Sequence, residues 1–147
     1  MHDLYMKEAI IEAKKAYGRN EVPVGAIIVY MGEIIARAGN SKEDDLDVSA
    51  HAEILAIREA GRILGKVNLA GCTLYSTLEP CPMCMGAIIQ SNLRQLVYGA
   101  ADPVKGAVES FMKIREFPDG GRIDVIGGIM EEECSSLLIS FFRGIRR

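Results

Sequence analysis

The sequence lacks any long apolar run, and this absence restricts what the protein can be. No stretch is long and apolar enough to cross a bilayer, and the N-terminal residues do not have the layout of a signal peptide. We therefore expect a cytoplasmic protein without a membrane segment. It has only two histidines and four cysteines among 147 residues. In a reducing compartment, these cysteines favour a metal site over disulfides.

Basic charge is also scarce. The formal net charge is −3 and the pI about 5.4, a balance that does not favour a nucleic-acid surface, although it does not exclude a local basic patch. Acidic residues are concentrated in residues 43–47 and 131–133. The C-terminus carries Arg143, Arg146 and Arg147 beside two phenylalanines. This cluster fits a solvated helix end, where cations complement the helix dipole, and a nucleic-acid contact equally well.

Repeats, low-complexity segments and linkers are absent, so we expect residues 1–147 to form a single domain. Hydrophobic periodicity predicts ten elements in the order α-β-β-α-β-α-β-α-β-α. The predicted helices cover residues 3–17, 51–64, 82–91, 107–116 and 131–145. The predicted strands cover residues 22–30, 33–38, 72–78, 93–98 and 123–126.

The connections between these elements predict the topology. A turn at Gly32 makes the first two strands a hairpin, whereas later strands are joined through helices and should be parallel. The connection before the last strand is too long for a hairpin, so the last two strands should also be parallel. We therefore expect an α/β fold of three layers, with a five-stranded mixed sheet between helices. The helix residues predicted to face inward are Met6, Ile10, Ala13, Tyr17, Ile54, Leu55, Ile57, Leu64, Leu137, Leu138, Phe141, Phe142 and Ile145.

Two short segments carry the chemistry. His51-Ala52-Glu53 is followed by Pro80-Cys81-Pro82-Met83-Cys84, and together they read H-x-E…P-C-x-x-C, a pattern typical of zinc deaminases of nucleobases. One imidazole and two thiolates can hold one zinc ion and leave a fourth position open for water. Glu53 can move protons on and off that water. His51, Cys81 and Cys84 are therefore the predicted zinc ligands, and Glu53 is the predicted catalytic residue.

The spacing of the cysteines favours a helix that begins at the metal. Cys81 and Cys84 stand three residues apart, which places both sulfurs on one face of a helix. The positive end of that helix lowers a thiol pKa toward the thiolate that binds metal. Pro82 suits a first helical turn, because its missing N–H would be unpaired there. We expect the zinc to lie where the two motif helices bring their N-termini together.

Three other interpretations of these segments are weaker. C-x-x-C alone is also typical of a redox pair, but that chemistry needs no H-x-E. A structural zinc needs a fourth protein ligand. Of the remaining donors, His2 is expected at a frayed N-terminus, and Cys72 and Cys134 are expected to be buried apolar thiols. A non-catalytic zinc protein that binds RNA or a partner would have no use for Glu53, so the pattern favours an enzyme.

The chain resembles the bacterial tRNA-specific adenosine deaminases (TadA-like), within the cytidine deaminase-like superfamily. The resemblance runs nearly from end to end, and the flanking segments favour this branch over the rest of the superfamily. The segments that carry it are Glu21–Ala26, Ala50–Ile54, Thr73–Tyr75, Thr77–Cys81, Met83-Cys84, Gly86-Ala87, Val97–Ala100, Asp102-Pro103, Lys105–Ala107, Glu132–Cys134 and Phe141–Arg143.

The resemblance implies a cytidine deaminase-like fold, a homodimer with each site completed near the partner chain, and a substrate. That substrate is the wobble adenosine of a tRNA anticodon loop, converted to inosine by hydrolysis. Asn40 matches the position that hydrogen-bonds the purine, and Val24 and Ala50 match walls of the pocket. The positions matched to possible RNA contacts are Asp102, Lys105, Phe142 and Arg143.

Three departures from the family pattern leave the zinc residues unchanged and bear on the substrate. Asp47-Val48-Ser49 replaces the usual Asp-Pro-Thr, residues 118–122 replace an Asn-His pair, and the chain is less basic than is usual. The acidic balance and the missing pair favour a deaminase of a free base or nucleoside such as guanine or cytosine. The Phe141-Phe142-Arg143 segment and Asp102-Pro103 favour tRNA.

Overall fold

The computed structural model describes residues 1–116, 118 and 122–145. Arg146, Arg147 and most of the stretch that replaces the Asn-His pair lie outside the described residues. The helices are α1 (His2–Gly18), α2 (Ala52–Leu64), α3 (Pro82–Gln90) and α4 (Glu131–Ile145), with a 3₁₀ helix at Ile114–Glu116. The strands are β1 (Gly25–Tyr30), β2 (Glu33–Gly39), β3 (Cys72–Leu78), β4 (Gln95–Ala100) and β5 (Asp124–Ile126).

The strands form one mixed sheet in the order β2-β1-β3-β4-β5. Strand β1 is antiparallel to both of its neighbours, whereas β4 is parallel to β3 and to β5. Met31 and Gly32 join β1 to β2 with positive φ angles of 51° and 78°, as a two-residue hairpin turn requires. The predicted five-stranded mixed sheet with two parallel final strands is confirmed.

Helices cover both faces of the sheet and complete the predicted three layers. On one face, α2 and α3 pack over a core that includes Leu74, Met85 and Ile88. On the other, α1 and α4 enclose a second cluster around Met6 and Val97. None of the helices in the described ranges is both long and apolar enough to cross a membrane.

The predicted helix over residues 107–116 is wrong. Turns occupy residues 107–110, and only Ile114–Glu116 coil into a 3₁₀ helix. The cause is a side chain outside the segment: the Glu79 carboxylate accepts hydrogen bonds from consecutive N–H groups of this loop. These N–H groups have no need of helical partners, so the loop keeps a shape that the local sequence does not predict.

The most deeply buried apolar residues of α2 are small, which the sequence did not predict, although Ile57 and Leu64 pack against the core as predicted. Ala52, Ala56 and Ala60 are fully buried, which brings the helix backbone close to the strands. The residues predicted to face inward are only partly buried: Ile54, Leu55, Ile57 and Leu64. Hydrophobic size therefore identified part of the buried face of this helix but not its fully buried centre.

Two further side-chain predictions need correction. Phe142 was predicted to face inward but is 45% exposed. The prediction for Ile145 is not tested, because its side chain lies outside the described residues. His2 is not at a frayed end, because it begins α1 and its Nδ1 lies 2.7 Å from the Tyr75 hydroxyl. The prediction that Cys72 and Cys134 are buried free thiols is confirmed.

The close crossing of α1 over β1 makes Gly25 sensitive to substitution. A Cβ atom at this position would lie 2.0 Å from the Ala9 carbonyl oxygen and 2.5 Å from the Ala13 nitrogen. We expect Gly25→Ala to lower the free energy of unfolding by about 1–3 kcal/mol, as measured by denaturant titration. Gly18→Ala is the control, because nothing lies within 4 Å of its Cβ position. Equal stability of the two variants would contradict the packing described.

Candidate functional site

The predicted zinc ligands lie at the N-termini of two adjacent helices. His51 directly precedes α2 and Cys81 directly precedes α3, each with extended backbone angles. Pro82 occupies the first turn of α3, and Cys84 follows it on that turn. The starts of the two helices therefore bring the two motifs together, although His51 and Cys81 are 30 positions apart in the sequence.

The three donor atoms have a spacing that fits a zinc ion. His51 Nδ1 lies 3.6 Å from Cys81 Sγ and 3.5 Å from Cys84 Sγ, and all three atoms lie within 4.8 Å of one another. Tetrahedral zinc with ordinary bond lengths separates a nitrogen from a sulfur ligand by about 3.6 Å. Among the described residues, no fourth His, Cys, Asp or Glu joins this group. The set thus fits a catalytic zinc with one open position.

The electrostatics of the two cysteines also suit a metal. A hydrogen bond from Cys84 lowers the pKa of the Cys81 thiol to about 4, and His51 contributes to the same effect. The same hydrogen bond raises the pKa of Cys84. The lowered pKa of Cys81 favours the thiolate that binds metal, and binding of zinc would release the proton of Cys84.

Glu53 lies in the first turn of α2 and is 3% exposed. Burial raises the pKa of its carboxyl group to about 7. A group with a pKa near the working pH can both accept and return a proton. Glu53 does not belong to the ligand group, so its position suits a proton carrier.

A cleft of about 800 Å³ opens over this cluster. Of the residues predicted to bind substrate or RNA, those that line it are Val24, Asn40, Asp102, Lys105 and Phe142. Ala50 is fully buried directly before His51 and does not contribute to the lining, and neither does Arg143. A cleft of this size can admit a nucleotide.

The side chain of Asn40 makes a contact in the structure that the sequence did not indicate. Its side-chain oxygen accepts a hydrogen bond of 2.8 Å from the N–H of Ala52, an otherwise unpaired donor in the first turn of α2. This bond fixes the orientation of the amide and leaves its NH₂ group as the donor available to the cleft. The contact joins residues 12 positions apart, so no local capping pattern could reveal it.

The segment Asp47-Val48-Ser49 forms a turn without the usual proline. Asp47 Oδ1 accepts hydrogen bonds from the Ser49 N–H at 2.9 Å and from the Ser49 hydroxyl at 2.7 Å. Val48 is 72% exposed at the position of the missing proline. The approach to His51 is therefore held by side-chain hydrogen bonds, and this departure leaves the metal cluster intact.

Sequence reasoning also missed two buried carboxylates beside the cleft, Glu21 and Glu79. Neither belongs to a local motif with a known structural role, and both act on loops distant in the sequence. The one available signal was the Glu79-Pro80 pair directly before the ligands.

Comparisons with known proteins agree with this geometry. The family model for the cytidine and deoxycytidylate deaminase zinc-binding region matches residues 1–100. The chain is 49% identical over 146 residues to a tRNA-specific adenosine deaminase of Bacillus subtilis (strain 168), across 99% of this chain and 91% of that protein.

Two solved structures are also similar. One comes from a study of A-to-I editing by tRNA:A34 deaminases at the wobble position of transfer RNA. It superposes with a TM-score of 0.89 at 46% identity, and the match covers 92% of this chain and 99% of that one. A guanine deaminase from Bacillus subtilis superposes with a TM-score of 0.66 at 39% identity, covering 69% of this chain and 65% of that one.

Proposed function

Because the chain belongs to the tRNA-specific adenosine deaminases of the zinc-dependent deaminase family, we propose that it converts adenosine to inosine at the wobble position of a tRNA anticodon. The observation that carries the chemistry is the His51, Cys81 and Cys84 cluster with buried Glu53 beside it at the cleft. Similarity over 99% of the chain to a tRNA deaminase supports the substrate.

The residues of the site divide the reaction between them. His51, Cys81 and Cys84 would hold the zinc, which when bound makes a water molecule acidic enough to ionise near neutral pH. Water adds at C6 of the adenine, the C6–N bond breaks, and ammonia leaves. Glu53 accepts one proton from the water and gives it to the ring nitrogen; it then takes the hydroxyl proton of the adduct and gives it to the departing amine. Its pKa of about 7 suits both transfers.

Asn40 is proposed to orient the purine through its NH₂ group. Asn40→Asp keeps an oxygen that can accept from the Ala52 N–H but loses the donor to the base, so we expect kcat/KM to fall roughly tenfold or more. Thermal unfolding should stay close to that of the wild type. Asn40→Ala removes both contacts and should lower stability as well. Wild-type kcat/KM for Asn40→Asp would contradict the proposed contact with the purine.

Recognition of RNA is proposed to use the cleft rim. The target base must leave its stack to reach the cluster, and an exposed aromatic ring offers a surface on which a neighbouring base can stack. Phe142 is such a ring, and Lys105 supplies positive charge at the same cleft. Asp102 and Arg143 are proposed as further RNA contacts.

The assembly of the protein is also a proposal. We infer a single domain over residues 1–147 that works as a homodimer in the cytoplasm. Apolar side chains exposed on and beside α2 and α3, among them Ile63, Val67 and Met83, support a contact between copies. Light scattering during gel filtration measures the mass directly, and a monomer at working concentrations would refute the homodimer.

The alternative function is deamination of a free base such as guanine. The 39% identity to a guanine deaminase and the net charge of −3 favour it. The salt dependence of KM separates the two. For a tRNA anticodon stem-loop, about three phosphate contacts would raise KM about 20- to 40-fold between 50 and 200 mM salt.

The matched measurement is ammonia release from guanine under the same conditions. A free base has no phosphates, so its KM should change little with salt. Activity on guanine alone, insensitive to salt, would replace the tRNA substrate with the alternative.

A further inference from the structure

The buried carboxylate of Glu79 organises one wall of the cleft. It is 1% exposed, and its Oε2 accepts hydrogen bonds from the N–H groups of Val108 at 3.0 Å, Glu109 at 2.9 Å and Ser110 at 3.1 Å. Its Oε1 accepts from the N–H of Asp102 at 3.0 Å and from the hydroxyl of Ser110. Five donors from one loop therefore converge on a single side chain.

The loop that Glu79 holds, residues 101–110, contains neither helix nor strand. The bonds to Glu79, and one from the Ala107 N–H to the Pro80 carbonyl oxygen at 2.8 Å, tie it to the rest of the protein. At the tip, Asp102 Oδ1 accepts from the N–H groups of Val104 and Lys105, both at 3.1 Å. The loop fits closely around the carboxylate, because a Cβ atom at Gly106 would lie 2.4 Å from Glu79 Cδ. At its tip the loop brings the exposed side chain of Lys105 to the cleft.

Glu21 makes the corresponding contacts on another loop of the cleft. It is 2% exposed, and its two carboxylate oxygens accept from the N–H groups of Glu43 at 3.1 Å and Asp44 at 2.8 Å. These donors belong to the acidic loop between β2 and α2, which brings the exposed side chain of Lys42 to the cleft. Two loops of the cleft are thus each tied to one buried carboxylate.

We propose that Glu79 and Glu21 are positioning residues that order the two loops before the substrate binds. A buried charge is costly unless hydrogen bonds compensate it. For both carboxylates the hydrogen bonds come from N–H groups of the loops, so burial of the charge favours one loop conformation. A loop ordered in advance loses less conformational freedom on association, which favours binding. The inference rests on the proposed function, since it assigns to both residues an effect on the affinity for tRNA and none on the chemical step.

Glu79→Gln and Glu21→Gln test this role with little change in shape. The glutamine NH₂ group cannot accept a hydrogen bond, so some loop N–H groups would lose their acceptor. Backbone hydrogen exchange should therefore accelerate at residues 102 and 108–110 in the first variant and at 43–44 in the second. We expect KM for a tRNA anticodon stem-loop to rise roughly tenfold, with kcat and zinc content unchanged. Glu12→Gln is the control, because Glu12 is a buried acid paired with Lys15 on α1.

Faster exchange with an unchanged KM would overturn the proposal, and so would an unchanged exchange rate. If Glu79→Gln fails to fold, Ser110→Ala removes one hydrogen bond to the same carboxylate and should raise KM by a smaller factor; an unchanged KM would again overturn it. A wild-type protein that forms no inosine would refute the proposed function instead. The positioning role would then be tested with the free base that the protein does deaminate. Faster hydrogen exchange in the loops together with a higher KM for that base would support it, and an unchanged KM would overturn it.

Discussion

Replacing Glu53 with Gln is expected to lower kcat by about 10²–10⁴-fold while the protein stays folded and keeps one zinc ion per chain. The amide has nearly the shape of the carboxyl group but cannot take up or return a proton. Because Glu53 is outside the ligand group, metal binding should not depend on it. Steady-state kinetics with zinc-loaded protein, together with metal analysis, measures both quantities.

Glu59→Gln is the matched control for this variant. Glu59 lies on the same helix, with its side chain paired to Arg62 at the surface, so kcat should equal that of the wild type. If Glu53→Gln turned over substrate at the wild-type rate, Glu53 would not be the proton carrier. If it lost its zinc, the loss of activity would say nothing about proton transfer, and Glu53 would have a part in metal binding.

Cys81→Ala is expected to lose zinc and activity together. Two protein ligands would remain, fewer than the three that catalytic zinc sites retain. The expected result is a zinc content near zero after dialysis against a mild chelator, with no detectable inosine. Cys72→Ala is the control, since Cys72 is a buried free thiol outside the cluster and its variant should keep the metal. Full zinc occupancy in Cys81→Ala would refute the ligand assignment.

The parts of the fold that follow from local pattern were predictable from the sequence. The mixed sheet was recognisable because alternating and continuous apolar runs, separated by glycine turns, indicate strands in a definite order. The metal cluster was recognisable because H-x-E and P-C-x-x-C together are typical of zinc deaminases, and because Pro82 is typical of a first helical turn. Two helix N-termini then bring His51 and Cys81 together, and the donor spacing follows from that geometry.

The parts that depend on contacts distant in sequence were not predictable. Residues 107–110 have a helical pattern, but the carboxylate of Glu79, 29 to 31 positions away, binds their N–H groups. The cap that Asn40 makes to Ala52 depends on the tertiary approach of a strand end to α2. Helix α2 buries alanines in place of larger residues, because the distance between helix and sheet, and not hydrophobic size alone, selects its inner face.

Deamination of the wobble adenosine is measured directly as inosine formation on a transcribed tRNA with adenosine at that position, using zinc-loaded protein. Ammonia release from guanine, cytosine and adenosine is measured in parallel. We predict inosine at the wobble position, with little ammonia from the free compounds. Absence of inosine together with rapid ammonia release from one of those compounds would refute the tRNA substrate and show that the same zinc site serves a small substrate.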